Sequence, residues 1–471
     1  MSAALAVALR LLLLFDDPWA HGYDGWYYVL QVRSLQAGTP LFADQSLVFR
    51  LLVLLAQATG DPIVGNKLAA AGFAGVTAAA GSVLGRRWLG SWTGALALGM
   101  WWAVSPLHLG VSAEFLKNAA GLSVLAVLLS VLPRAVTHRR AVAAAVLLGL
   151  LGLLVHKLTA MMGLVAGLGV WLAHGLSGRR PPRWLWGAVL IAVLAVGSVG
   201  LLRMADLQRF WMSNVGTMSR WSAFWSTRLT GFERVELAAG LVAPVVLAVG
   251  AWRRPEQRAV AVSLLGLSLI ALAPGLPFGW DELSWRLMLM GFVGVGAALA
   301  MVVSALPRTA VGVLWVALAL VLAVMPSQLS ALQSRGPDYR VWAEVAPTLQ
   351  AVVPPDHRVV SHRGVCGFIW AEMGRHCENF QPPPPHAEWW RVVYGFGPQH
   401  FASHRQPDEP EAVTLMAGYT LVWEPHWQRF VAAEEDRFLL IRDPRNPFRP
   451  RPEFVYGPGG GPPVEGAAGM H

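Results

Sequence analysis

Asp16, Asp17 and Asp24 lie close together in sequence, beside His21 and the aromatic residues Trp19, Trp26, Tyr27 and Tyr28. Carboxylates next to a histidine and a row of rings suit two tasks: holding a divalent cation, or activating a hydroxyl beside aromatic faces for a sugar or lipid. The same rings would also make an interfacial belt, with the aspartates as solvated helix ends. Glu114 follows, with Lys117 three residues on. A carboxylate at a membrane edge is costly unless solvated, paired or bound. It therefore either pairs with Lys117 at i,i+3 spacing, or faces Asp24 so that two carboxylates share a cation or divide acid and base roles.

Three basic groups complete the set. His156 and Lys157 are adjacent in a very short turn between apolar runs, where they suit a phosphate or snorkel to the interface. Arg203, Arg209, Arg220 and Arg228 alternate with Phe210, Trp211, Trp221, Phe224 and Trp225. That pattern fits an anionic, lipid-linked ligand at the bilayer surface, and a membrane-lying helix without a ligand reads the same way. Arg286 closes Gly279–Arg286, where it would hold a pyrophosphate or balance Asp281 and Glu282.

These residues are carried by membrane helices and the loops between them. Of the 471 residues, 55% are hydrophobic and only 14% charged, and the mean hydropathy is +0.47. Soluble domains usually carry about 25% charge, so a soluble globular class is excluded. Apolar runs of bilayer length, about 20 residues, predict roughly eleven spans near 2–15, 63–84, 92–106, 118–133, 141–155, 159–175, 184–202, 235–252, 259–273, 287–305 and 310–326. The first lacks a cleavable small-residue site and reads as a retained helix, with a signal peptide as the competing reading.

Charge sets the orientation. Arg86–Arg87, Arg134 with Arg139–Arg140, Arg179–Arg180 with Arg183, Arg253–Arg254 with Arg258, and Arg308 fall on alternate loops, which the positive-inside rule makes cytoplasmic. Of the twelve acidic residues before 327, only Glu256 shares that side. The chemistry is thus expected to face outward, on outer loops 16–62, 107–117 and 203–234. The net charge of +9 is spread over short clusters rather than one patch, so no nucleic-acid partner is expected.

Past 326 the chain turns polar and Pro-rich, with β-like runs at His357–Ser361, Thr420–Trp423 and Phe438–Ile441. An odd number of spans puts 327–445 outside the cytoplasm as a small α/β domain, and 446–471 reads as a disordered tail. Cys366 and Cys377 both fall in that outer domain, where a disulfide between them is permitted, two unpaired thiols being the other reading.

Taken together, these features resemble the GT-C superfamily of membrane glycosyltransferases, which includes oligosaccharyltransferase catalytic subunits, protein O-mannosyltransferases and aminoarabinose transferases. Asp24-Gly25-Trp26-Tyr27-Tyr28, then Arg33-Ser34-Leu35, looks like the family's acidic loop-one motif with its aromatics. Glu114 stands for the acid of the second loop, and Trp285-Arg286-Leu287 is similar to the arginine segment placed near the donor phosphate. The resemblance implies an inverting transfer of a sugar from a polyprenyl phosphate or pyrophosphate donor to an acceptor on the outer face of the cytoplasmic (inner) membrane.

By the same resemblance, Asp24 is implied as acceptor base or metal ligand and Glu114 as its partner, with Mg or Mn the divalent cation they would share. Lys157, Arg220 and Arg286, with His156, would hold the donor phosphate, and Trp26, Tyr27 and Tyr28 the substrate. The chain departs from the family in two places. Trp389-Trp390-Arg391-Val392-Val393-Tyr394-Gly395 lacks the Asp and the spacing of the oligosaccharyltransferase signature, so N-glycosylation is not supported. The second-loop motif is a single glutamate rather than a pair of acids, which leaves metal dependence open. Two other classes are compatible with the sequence: a transporter or flippase of a lipid-linked or anionic solute, and a non-catalytic envelope assembly partner. The acceptor, whether protein, lipid or glycan, is not specified.

Overall fold

The computed structural model describes residues 1–22, 24–42, 44, 46–135, 138–176, 229–272, 281–307, 311–333, 339–340, 343, 358–361, 363–374, 377–379, 389–394, 419–423, 427–432 and 437–441. In chain order the helices are α1 (Ser2–Leu14), α2 (Gly25–Gln36), α3 (Leu47–Thr59), α4 (Pro62–Leu89), α5 (Trp92–Val104), α6 (Pro106–Glu114), α7 (Leu116–Ala135), α8 (Arg139–Val155) and α9 (Lys157–Leu176). They continue with α10 (Gly231–Gly240), α11 (Ala243–Arg253), α12 (Arg258–Leu272), α13 (Asp281–Leu289), α14 (Phe292–Ala305), α15 (Val311–Gln333) and α16 (Arg363–Met373). Two compact units emerge: one of Met1–Asp17 with Asp44–Leu332, the other of Pro18–Ala43 with Gln333–His471.

The first unit is a multi-pass membrane bundle. Among the described residues five helices are long and apolar enough to cross a bilayer, or six if the bent pair α5–α6 is one span. The eleven expected spans are therefore not all met at that length: α1 and the apolar part of α9 are shorter helices, and 184–202 lies outside the described residues. Two expected outer loops contain helices instead. Within 16–62 lie α2 and the apolar α3, and 107–117 is mostly α6, every residue of which is buried. A helix was to be expected there, because Ser105 followed by Pro106 is an N-cap and N1 pair.

Helix ends follow local chemistry. Asp61 caps α4 by accepting from the Ile63 amide at 2.6 Å, with Pro62 at the first position. Gly60, at φ +74°, makes the left-handed corner between α3 and α4, a conformation that a Cβ would oppose. The bundle packs by close backbone approach, the common means of helix association in lipid. At Gly85 an added Cβ would meet the Gly94 carbonyl at 2.5 Å, and at Gly81 the Trp102 ring at 2.6 Å, so α4 and α5 are held together by missing side chains.

In the second unit six strands form one sheet in the order β2-β1-β3-β6-β5-β4: β1 (Arg358–Ser361), β2 (Cys377–Asn379), β3 (Trp389–Tyr394), β4 (Tyr419–Trp423), β5 (Trp427–Ala432) and β6 (Arg437–Ile441). β1 pairs in parallel with β2 and β3, and β3 in parallel with β6, while β5 runs antiparallel to β4 and β6. The helix α16 is the crossover from β1 to β2. The disulfide Cys366–Cys377, Cα atoms 5.0 Å apart, ties that helix to the strand it feeds. The three expected β-runs become β1, β4 and β6; the Trp389-Trp390 stretch is strand β3.

Candidate functional site

Asp24 is the residue before α2 and is buried, 6% exposed. The chain folds back tightly to place it. A Cβ on Gly25 would meet the Ala20 carbonyl carbon at 3.0 Å, so glycine is needed there. The Tyr339 hydroxyl donates to the Gly22 carbonyl at 3.3 Å. Trp26 is fully buried between Phe368, at 5.5 Å, and Tyr339, at 5.7 Å, with edge-to-face geometry. A Cβ on Gly367 would reach the Trp26 Cβ at 2.4 Å. The ring that the sequence offered to a sugar or lipid thus packs the core that fixes α2 on α16. Tyr27 is half-buried against Phe42 (4.8 Å) and Tyr28 (5.3 Å), and Tyr28 is buried. Gln31 clamps the far end of the segment, donating to the Phe42 carbonyl and accepting from its amide, both at 3.0 Å. Arg33 donates to the Ala371 carbonyl at 2.9 Å.

Glu114 ends α6 in the membrane unit and is 2% exposed. What positions it is the 46° break between α5 and α6. Pro106 has no amide proton, so the Trp102 carbonyl loses its helical donor; His108 Nδ1 supplies one at 2.6 Å. The Ala103 carbonyl receives Arg10 Nη1 instead, and Arg10 Nε donates to Ser112 Oγ at 3.3 Å. On the other side of the break Glu236 accepts from the Leu107 amide (2.8 Å), Ser105 Oγ (2.7 and 2.8 Å) and Trp101 Nε1 (2.9 Å). A carboxylate at the start of α6 also meets the positive end of its dipole. Every backbone group freed by the break around 102–108 that these contacts reach is thereby satisfied, as an apolar surrounding demands.

Glu236 was not among the site residues that the sequence suggested. Its signal was available: a carboxylate at the start of an apolar run either faces a partner or marks function. Arg10, on α1, is likewise buried in the bundle.

The basic residues gather elsewhere in the same unit. His156 lies in the turn between α8 and α9, half-buried, with Nδ1 enclosed. Burial pushes its pKa down to about 3, helped by the charges of Arg286, Lys117 and Lys157 and opposed by Asp44. One imidazole therefore senses four charged groups from separate elements. Lys157 is the exposed first residue of α9. Arg286, in α13, stacks its guanidinium over Phe115 at 4.7 Å, and Phe115 in turn meets Trp285 edge-on at 4.7 Å. Lys117, at the start of α7, forms an ion pair with Asp44 and lies 5.7 Å from the centre of the Phe49 ring. Close packing seats the turn: a Cβ on Gly121 would meet Thr159 Oγ1 at 2.1 Å and His156 Cβ at 2.9 Å. Arg220 lies outside the described residues, as do the side chains of Asp281 and Glu282.

Among the described residues no group of three or more His, Cys, Asp or Glu comes together; a cation held by one or two carboxylates with substrate phosphate and water would not need one.

No family model and no curated protein matches the sequence. Solved structures do. The crystal structure of ArnT from Cupriavidus metallidurans bound to undecaprenyl phosphate superposes with a TM-score of 0.53 at 14% identity, covering 83% of this chain and 85% of ArnT. The chain shares the fold of ArnT. The cryo-EM structure of the arabinofuranosyltransferase AftD from Mycobacteria also aligns, at 19% identity over 76% of this chain and 29% of its own, with a TM-score of 0.39; that likeness is too loose to carry an argument.

Proposed function

We propose that this protein is an inverting membrane glycosyltransferase that moves a sugar from a polyprenyl-phosphate-linked donor to an acceptor on the outer face of the cytoplasmic membrane. The observation that carries the reading is the gathering of Lys117, Lys157 and Arg286 about His156 in a chain with the fold of ArnT. Cations from separate helices around one point suit a phosphate, and a planar guanidinium matches two phosphate oxygens at once. That ArnT was solved with undecaprenyl phosphate supports the lipid phosphate as the class of ligand.

In this reading Asp24 takes the proton of the acceptor hydroxyl as its oxygen attacks the anomeric carbon. The bond from that carbon to the phosphate oxygen breaks, and the polyprenyl phosphate leaves with the electron pair. Lys117, Lys157 and Arg286 neutralise the charge that develops on the leaving group. His156 stays neutral through this and adds no charge of its own. Glu114, buried at the end of α6, is assigned as a second acidic residue of the reaction.

The test is turnover of polyprenyl phosphates bearing labelled sugars by the purified full chain in nanodiscs, with membrane extract as acceptor source. Asp24→Asn, checked for folding, is expected to abolish transfer. Full activity in Asp24→Asn overturns the base assignment, and no turnover of any polyprenyl-linked sugar by the unaltered protein overturns the glycosyltransferase reading.

A further inference from the structure

The cation cluster already contains an anion. Asp44 occupies Lys117 through Oδ2, while its Oδ1 accepts from the Ser46 amide at 3.1 Å. Ser46 anchors the segment twice over: its hydroxyl caps α3 by accepting from the Val48 amide at 3.4 Å, and donates to the Val155 carbonyl at 2.6 Å, one residue before His156. The carboxylate is thus delivered to the cluster by a chain segment bonded to the very turn that carries His156 and Lys157. Its side chain remains one-quarter exposed and that of Lys117 one-fifth, so the pair is within reach of an incoming ligand. Lys117 is also steered from the other side, by the Phe49 ring of α3.

We infer that Asp44 is a resident competitor for the donor phosphate: it holds Lys117 while the site is empty and yields that ammonium when a phosphate enters. The inference rests on the reading of the cluster as the donor-phosphate site. A competing carboxylate lowers the affinity for any phosphate by the strength of the pair it must give up. It bears most on the product. A sugar-linked polyprenyl phosphodiester carries one negative charge, whereas the released polyprenyl phosphate is a monoester carrying about 1.5 to 2 at neutral pH. A cluster of three cations would retain that product, and a tethered carboxylate returning to Lys117 shortens its stay.

Asp44→Asn isolates the charge, because the amide oxygen still accepts from the Ser46 amide while the negative charge that Asp44 sets against Lys117 is gone. Binding of undecaprenyl phosphate to the full chain in nanodiscs is measured against undecaprenol, with inorganic phosphate as a third probe to separate a headgroup site from a lipid site. A partly exposed pair is worth about fivefold in affinity, so Asp44→Asn is expected to bind undecaprenyl phosphate about fivefold more tightly and to be more strongly inhibited by it as product. A gain confined to inorganic phosphate supports the same competition for a soluble anion. Unchanged or weaker binding of both phosphates in folded Asp44→Asn overturns the inference. Asp44→Ala, which removes the side chain facing the ammonium, serves as the second variant should the asparagine protein not fold; the same gain is expected. If the unaltered protein does not distinguish undecaprenyl phosphate from undecaprenol or bind inorganic phosphate, the donor-site reading fails instead.

Discussion

Glu236→Gln is the perturbation that reaches furthest into the structure. The glutamate accepts from the Leu107 amide, the Ser105 hydroxyl and the Trp101 indole with both oxygens, and it is buried, 3% exposed. Glutamine keeps the shape but replaces one of those oxygens by an NH2 group, so a donor is turned on a donor. If the amide faces the start of α6, the Leu107 amide loses its acceptor; if it flips, the Trp101 indole does. One buried donor left unsatisfied costs about 1–3 kcal/mol, and loss of a negative charge from the helix N-terminus adds about 0.5–1 kcal/mol. The sum is about 1.5–4 kcal/mol, which lowers the unfolding midpoint of a chain this size by about 2–4 °C.

The functional effect is separable from the stability effect. The capped helix carries Glu114 on its last turn, so Glu236→Gln is expected to lower kcat at temperatures well below its midpoint while binding of undecaprenyl phosphate at the His156 cluster is kept. Thermal unfolding in nanodiscs, steady-state transfer and lipid-phosphate binding together read this out. A midpoint within about 1 °C of the unaltered protein would refute the reasoning, since a buried donor without an acceptor cannot be that cheap. An activity loss that merely follows the folded fraction would confine Glu236 to stability.

Two further predictions concern pH and redox state. His156 has a folded pKa of about 3 against roughly 6.5 when unfolded, so between those values the unfolded chain binds the extra proton; stability is full above about pH 6.5 and falls as pH drops toward 3. His156→Gln should flatten the acid side of a thermal-midpoint against pH curve, and an unchanged slope contradicts the burial of the ring. Cys366 and Cys377 close a loop of about 12 residues, for which cross-linking is worth about 3 kcal/mol; Cys377→Ser, or a membrane-impermeant reductant, should lower protection of α16 in amide exchange, and unchanged protection contradicts a stabilising bridge.

The sequence revealed elements better than pairings. Bilayer-length apolar runs announce α4, α7 and α14 because hydropathy is local and cumulative, and the Ser105-Pro106 pair carries a helix start inside the stretch that reads as an outer loop. Cys366 and Cys377 were readable because they are the chain's two cysteines. Trp26 was not, since an aromatic side chain in an interfacial motif reads alike whether it faces a ligand or, as here, fills the space left by Gly367. Long-range partners were hidden for a different reason. Lys117 sits three residues from Glu114, yet its ammonium goes to Asp44, 73 residues away, and Glu236 caps a helix 129 residues before it. Local spacing limits what a side chain can reach along its own helix, and says nothing of which helix the bundle sets beside it.

The most direct test of the donor-site claim is a structure of the full chain with undecaprenyl phosphate bound. The account predicts the phosphate within hydrogen-bond reach of Lys117 and Arg286 beside His156, with the Asp44 carboxylate withdrawn from Lys117. A phosphate seated away from this cluster, with the Lys117–Asp44 pair intact, would contradict it.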